Sequence, residues 1–169
     1  MFRVILLLVL LVSLPAHARL GESVKECITR YGEIVERLPA QTPGSDADAC
    51  IFSKGGITIY VEFKSEKAWK VVYRMPGLDT AAAQSLLSVE SSAGSWSAPL
   101  KVGNQEVRMS DDHERLALRQ LPKRVEDTAT FTFVTKAFAA ANRAEYEGKL
   151  SLVVDEVKRR EANRPLKDL

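Results

Sequence analysis

Between residues 57 and 63 every second position is apolar. Ile57, Ile59, Val61 and Phe63 alternate with Thr58, Tyr60 and Glu62, which is the period of a half-buried β-strand. Trp69, Val71 and Tyr73 repeat the alternation after the turn residues Ser65-Glu66-Lys67. A short apolar run, Cys50–Ser53, precedes both and is separated from them by the turn Lys54-Gly55-Gly56. The three runs read as an antiparallel meander. Ahead of it the period lengthens: Val24, Cys27, Ile28 and Tyr31 recur at i, i+3, i+4 and i+7, the stripe of a helix. Glu22 suits the positive end of that helix, and Gly32 suits the residue just past its end. The stretch Pro39–Ala49, rich in Pro, Gly, Ser and Asp, is a loop.

The second half has the same order. Asp79 can cap a helix from Thr80 to about Glu90, with Leu86, Leu87 and Val89 on its apolar side. Strands follow at Gln105–Met109, Arg115–Leu121 and Thr128–Thr135, with Asp111-Asp112-His113-Glu114 as the turn between the first two. Lys136 to about Asn163 reads as one long helix with the stripe Tyr146, Leu150, Val153, Val157, weakened by Gly148 and ended by Arg164-Pro165. The pattern predicts an α+β domain over 19–135, antiparallel meanders packed by helices. Two helix-plus-three-strands units, 20–74 and 79–135, stand in tandem within it, and 136–169 forms a C-terminal helix and tail.

The first 18 residues belong to a different kind of segment. Arg3 is followed by an apolar run, Val4–Leu14, then by Pro15 and by Ala16-His17-Ala18, with small residues at −3 and −1 of a cut before Arg19. This is the layout of a secretory signal peptide, and the run is about half of what a bilayer span requires. No cysteine follows the cut to take a lipid. The mature chain is therefore expected to be periplasmic or secreted, with no membrane insertion after cleavage.

Removing 18 of the 169 residues leaves 151, enough for one domain with a real core. Lys and Arg then number 23 against 22 Asp and Glu. That balance offers no electrostatic case for nucleic acid or an acidic membrane. The basic C-terminal residues Lys158-Arg159-Arg160 are interleaved with acids and suit a helix end. Both cysteines, Cys27 and Cys50, lie in the mature part. In an oxidising compartment they can pair, closing a loop of about 24 residues worth ~3 kcal/mol. Otherwise they are two buried thiols.

Candidate chemistry is sparse. After the cut one histidine remains, His113, with no ligand spacing for zinc and no nucleotide-binding loop elsewhere, so no cofactor is expected. Asp111-Asp112-His113-Glu114 is either a weak metal or acid–base site or a polar hairpin turn. Glu62 reads as a solvated strand position. Three aromatic residues are interface candidates: Tyr60, out of phase with its strand's core face, Trp69, and Trp96 in a loop. Tyr60 and Trp96 serve equally as core cover.

Gly21-x-Ser23-x-x-x-Cys27-x-x-x-Tyr31-Gly32 resembles the opening of the small periplasmic domains typified by the SmpA/BamE outer-membrane assembly lipoproteins. Tyr60-Val61-Glu62-Phe63 and Lys67–Tyr73 occupy the place of that family's "v-x-F … g-k-v" meander. The likeness covers about residues 20–74. The related β-lactamase-inhibitor-like fold is built of such units in tandem, and uncharacterised secreted bacterial proteins share the layout. The resemblance implies a non-catalytic module that binds another envelope or secreted protein. Two alternatives stay open: a small extracytoplasmic hydrolase or metal-dependent enzyme using Asp111–Glu114, and a small-ligand binder with a pocket near Trp69, Tyr73 or Trp96.

Overall fold

The computed structural model describes residues 19–39, 42–77, 80–90, 95–120 and 128–163. Residues 1–18, Asp79 and Arg164-Pro165, read above as signal peptide, helix cap and helix stop, lie outside these. The described chain runs α1 (Val24–Tyr31), β1 (Glu36–Leu38), β2 (Ala49–Lys54), β3 (Ile57–Lys64), β4 (Lys67–Pro76), α2 (Thr80–Glu90), β5 (Leu100–Val102), β6 (Gln105–Met109), β7 (Arg115–Gln120), β8 (Thr128–Thr135), α3 (Lys136–Ala141) and α4 (Arg143–Ala162).

All eight strands form one antiparallel sheet in the order β1-β2-β3-β4-β8-β7-β6-β5. Each half is a four-stranded meander. The halves meet where β4 pairs with β8, from Lys70–Val134 to Pro76–Thr128. β1 and β5 are the strands that periodicity does not reveal. Three residues are too few to show alternation, and both are held by pairing with a neighbour, β1 on β2 and β5 on β6.

The sheet has two differently covered faces. The first buries Cys50, Phe52, Ile59, Val61, Phe63, Val71, Tyr73, Phe131 and Phe133 against Cys27 and Tyr31 of α1 and Ala83, Leu86 and Leu87 of α2. The second buries Val107, Met109, Leu116, Leu118 and Val134 against Phe138, Ala139, Tyr146 and Val153 of α3 and α4. Fully burying side chains of this size contributes about 1.5–3 kcal/mol each. Ser23 caps α1 in a reciprocal box with Glu26, and the Gly32 N–H closes its far end on the Ile28 carbonyl at 2.9 Å.

Three expectations are corrected. The C-terminal helix is two helices, broken at Asn142, whose side-chain amide and backbone N–H both donate to the Phe138 carbonyl. Trp69 does not share a face with Val71 and Tyr73. The pairing slips between Glu62–Lys70 and Phe63–Ala68, so Trp69 is the extra residue of a β-bulge. It turns to the second face, where it packs edge-on against Phe138 at 5.0 Å. Gly44 lies against that ring: at φ +89 it already disfavours a side chain, and a Cβ there would stand 3.2 Å from the indole.

The disulfide is the third correction. Cys27 and Cys50 are free thiols, both fully buried. They share the first-face cluster without being joined, and a bridge demands Cβ atoms about 3.8 Å apart. Burial pushes the Cys27 thiol up to about 12 and raises that of Cys50 as well, so neither is a competent nucleophile in the folded state. Alkylation of the native protein at pH 8 is expected to add no label. Unfolding in guanidinium without reductant is expected to add two, read by intact mass; a denatured chain that still takes none would mean a bridge.

Candidate functional site

α3 and α4 cover only one half of the second face. Pairing continues across the sheet from Ile51 through Tyr60, Val72, Thr132, Leu118 and Val107 to Leu100. Directly paired residues project to the same side. From Val107 and Leu118 this row lies under the helices, whereas over β2–β4 it floors an open trough of about 440 Å³. Thr58, Tyr60 and Glu62 of β3 and Lys70, Val72 and Arg74 of β4 line it, with Leu38, Ile51 and Thr42 at its rim.

The inner end of the trough is charged and pre-organised. Glu62, expected to be solvated, is 1% exposed. Its Oε1 accepts from the Tyr60 hydroxyl and from Lys70 Nζ, both at 2.9 Å, and its Oε2 accepts from the Ser45 hydroxyl at 3.2 Å. Burial pushes this carboxyl up, but hydrogen bonds from Thr42, Lys70 and Tyr60 outweigh it and hold the group below its ordinary value. Lys70 Nζ also lies 5.6 Å from the Tyr60 ring centre and 5.1 Å from that of Phe138, within cation–π range. The bulge at Trp69 makes this possible, because it lets Trp69 and Lys70 both address the second face.

Arg74 differs from Lys70. It is exposed in the trough, between its strand partners Thr58 and Thr130, and no acidic side chain among the described residues pairs with it. With Glu62 and Lys70 cancelling, the trough carries one uncompensated positive charge. Beyond Arg74 the polar floor continues through Thr130, Gln120 and Gln105. There a second recess of about 150 Å³ is walled by Glu145 and Tyr146 of α4.

The other candidates fall elsewhere. Tyr60 is in the trough, half-buried, as its phase predicts. Trp69 is 4% exposed and belongs to the core. Trp96 is half-buried at the edge of the first-face core; its indole N–H donates to the Leu87 carbonyl at 2.9 Å and its ring lies 5.8 Å from Phe133. Asp111–Glu114 is the β6–β7 turn, exposed at all four positions. Asp111 accepts from the hydroxyl and backbone N–H of Ser95, and Asp112 accepts from the Ser110 hydroxyl, the Glu114 N–H at 3.1 Å and Arg115 at 2.9 Å. These carboxylates brace a turn in which His113 adopts φ 60. Among the described residues no group of three or more His, Cys, Asp or Glu could hold a metal ion, and no helix is long and apolar enough to cross a membrane.

No family model matches the chain. No curated protein matches it either. Among solved structures it is similar to a cysteine-rich secretory protein from Staphylococcus aureus subsp. aureus Mu50, with 14% identity over 72% of this chain and 46% of that one, at a TM-score of 0.44. The chain thus spans less than half of that protein's length, and so distant a likeness bears on neither fold nor function.

Sequence reasoning passed over Lys70 and Arg74 and read Glu62 as solvated. A signal was present: Thr58, Tyr60 and Glu62 occupy one face of β3, and Lys70 and Arg74 flank Val72 on the matching face of β4. An aromatic residue and three charges on the supposedly solvated side of adjacent strands mark a polar surface with its own construction.

Proposed function

We propose that the protein is an exported, non-enzymatic binding module. In this reading residues 1–18 are removed as a signal peptide. Two helix-plus-meander units in tandem, as the resemblance to SmpA/BamE-like and β-lactamase-inhibitor-like domains suggests, present the open trough to another envelope or secreted protein. The observation that carries the reading is the half-bare second face. Its floor is rigid strand, its inner end is fixed by the Glu62–Lys70–Tyr60 network, and it leaves Arg74 as the one uncompensated charge. Pre-organised surface of this kind loses little side-chain freedom on binding. A partner that offers a carboxylate beside an aromatic or aliphatic group matches Arg74, Tyr60 and Val72. The braced and exposed Asp111–Glu114 turn supports the binding reading over the hydrolase.

A second reading has its own observation: a volume of about 440 Å³ lies within the range of small-molecule sites, so a polar anionic small molecule is the alternative occupant. The test places a photo-crosslinking residue at Tyr60 or Thr58, with Leu152, 51% exposed on α4, as control. The protein is expressed with its own leader. One partner protein captured from the trough positions and not from Leu152, and lost in an Arg74→Glu background, is the expected result. Absence of any trough-specific protein adduct in a folded, exported sample would sink the protein-binding reading. Saturable tryptophan quenching by small organic anions would then favour the second.

A further inference from the structure

Arg19 and Leu20 are tied to the packed domain by their backbone. The Leu20 N–H donates to Oε2 of the buried Glu90 at 3.2 Å. The Gly21 N–H donates to the Ala68 carbonyl and the Ala68 N–H to the Glu22 carbonyl, each at 2.7 Å. Glu22 is held in turn by Arg30, through Nε at 3.0 Å and Nη2 at 2.6 Å. Those two bonds are to Oε1; Oε2, which also accepts from Arg30 Nε at 3.2 Å, lies 3.4 Å from the backbone nitrogen of Arg19. That nitrogen is the atom which a cut before Arg19 would convert from an amide into an amine.

We infer that removal of residues 1–18 creates at Arg19 an α-ammonium group that pairs with the Glu22 carboxylate, so that the processed chain is more stable than the unprocessed one. This rests on the export reading above. The covalent step is hydrolysis: water adds across the Ala18–Arg19 amide, leaving a carboxylate on Ala18 and the amine on Arg19. An amide N–H is one neutral donor. An ammonium brings three donors and a full charge, and a charge-assisted bond is roughly twice as strong.

The groups around the new charge are mixed in sign, with the Glu22 carboxylate the nearest. Glu22 faces it from its own segment, and Arg30 of α1 already shares that carboxylate. Glu90 of α2 lies one residue away on the Leu20 N–H, backed by the Tyr73 hydroxyl of β4 at 3.4 Å. Arg115 of β7 is turned to the Glu90 carbonyl at 2.6 Å, and the Arg19 guanidinium is itself a neighbour. The carboxyl nearest the new charge is fixed by Arg30 and has an oxygen within reach of the Arg19 nitrogen. An α-amino group ordinarily titrates near about 7.7–8.0, and pairing in the folded state raises this. The added stability is therefore present below about pH 8 and is lost as pH rises through the raised value.

Two chains released from a cleavable fusion test this, one beginning at Arg19 and one carrying His17-Ala18 ahead of it. At pH 6.5 the Arg19 form is expected to melt about 2–4 °C higher. The difference should vanish at pH 10 and also when both chains carry Glu22→Gln. Equal melting at pH 6.5, or a difference that persists at pH 10 or without the Glu22 carboxylate, would overturn the pairing. Intact mass of the protein exported with its own leader tests the cut separately: it should begin at Arg19, and any other first residue overturns the processing step.

Discussion

With Glu90 replaced by glutamine, stability should no longer fall as pH rises from about 4.5 to 8, and at pH 9 the variant should be the more stable protein. Glu90 ends α2 on the first face of the sheet at 1% exposure. Burial pushes its carboxyl up to about 8 from an ordinary 4.5, against the pull of the Leu20 N–H and Tyr73 hydroxyl hydrogen bonds. Below pH 4.5 both the folded and unfolded chains hold the proton, and burial adds no ionisation cost. Between 4.5 and 8 the unfolded chain releases the proton while the folded chain retains it. Folding is then opposed by about 1.4 kcal/mol for each pH unit crossed, as an upper limit for one fully coupled proton. Above 8 the loss levels off. Glutamine has the shape of the protonated acid and does not ionise, so Glu90→Gln removes this slope. Urea unfolding followed by tryptophan fluorescence at pH 4, 6 and 9 reads it directly. Parallel pH profiles for the two proteins would mean that Glu90 is solvated as a carboxylate and that its burial has no linkage to pH.

Lys70→Ala is expected to cost about 2–3 kcal/mol at neutral pH. The reason is the carboxylate left behind. Glu62 is 1% exposed and ionised in the folded protein, and Lys70 is its cation at 2.9 Å. Removing one partner of a fully buried pair typically costs about 3–5 kcal/mol, because the other charge stays buried without compensation. The value here is smaller: the Lys70 side chain keeps 20% of its surface in water, and the hydroxyls of Tyr60 and Ser45 still donate to Glu62. The double variant Lys70→Met with Glu62→Leu should recover much of the loss, since two apolar side chains replace the pair without an orphan charge. Urea midpoints at pH 7 decide the matter. A single variant as stable as the parent would show that the pair is screened like a surface ion pair, and the inner end of the trough would then not be rigid.

Much of the architecture was legible because it follows from local periodicity. The period-2 runs Ile57–Phe63 and Thr128–Thr135 became β3 and β8, and the period-3.6 stripes became α1 and the buried edge of α4, where Tyr146 and Val153 are core. The turn residues Asp111–Glu114 became a turn. Misreadings came where a short-range signal was absent or outvoted. β1 and β5 are too short to alternate, so only their neighbours define them. Asn142 sits in an alanine-rich run of high helix propensity, and nothing in the spacing announces that its amide will cap the Phe138 carbonyl. Trp69 keeps a regular spacing with Val71 and Tyr73, and a bulge, one extra residue in the pairing, sends it to the opposite face.

Within the candidate site the division is sharper. Sequence by itself determined which side chains share a strand face, because side-chain direction alternates along any β-strand: Tyr60 with Glu62, Lys70 with Arg74. It also determined the number of chemically able groups, down to the one histidine after Arg19. Only the tertiary structure decided which faces meet water. The helices α3 and α4 cover β5–β8 and reach β4 only at its Trp69–Lys70 end, and that offset, with Ser45 on Glu62, buries the Glu62 carboxylate at the boundary while leaving Arg74 open. The same packing put Glu90 beneath Leu20, 70 positions away in the chain, and brought Cys27 and Cys50 into one core without a bridge. Burial and charge pairing depend on contacts between segments distant in sequence, and no local pattern of polar and apolar residues encodes them.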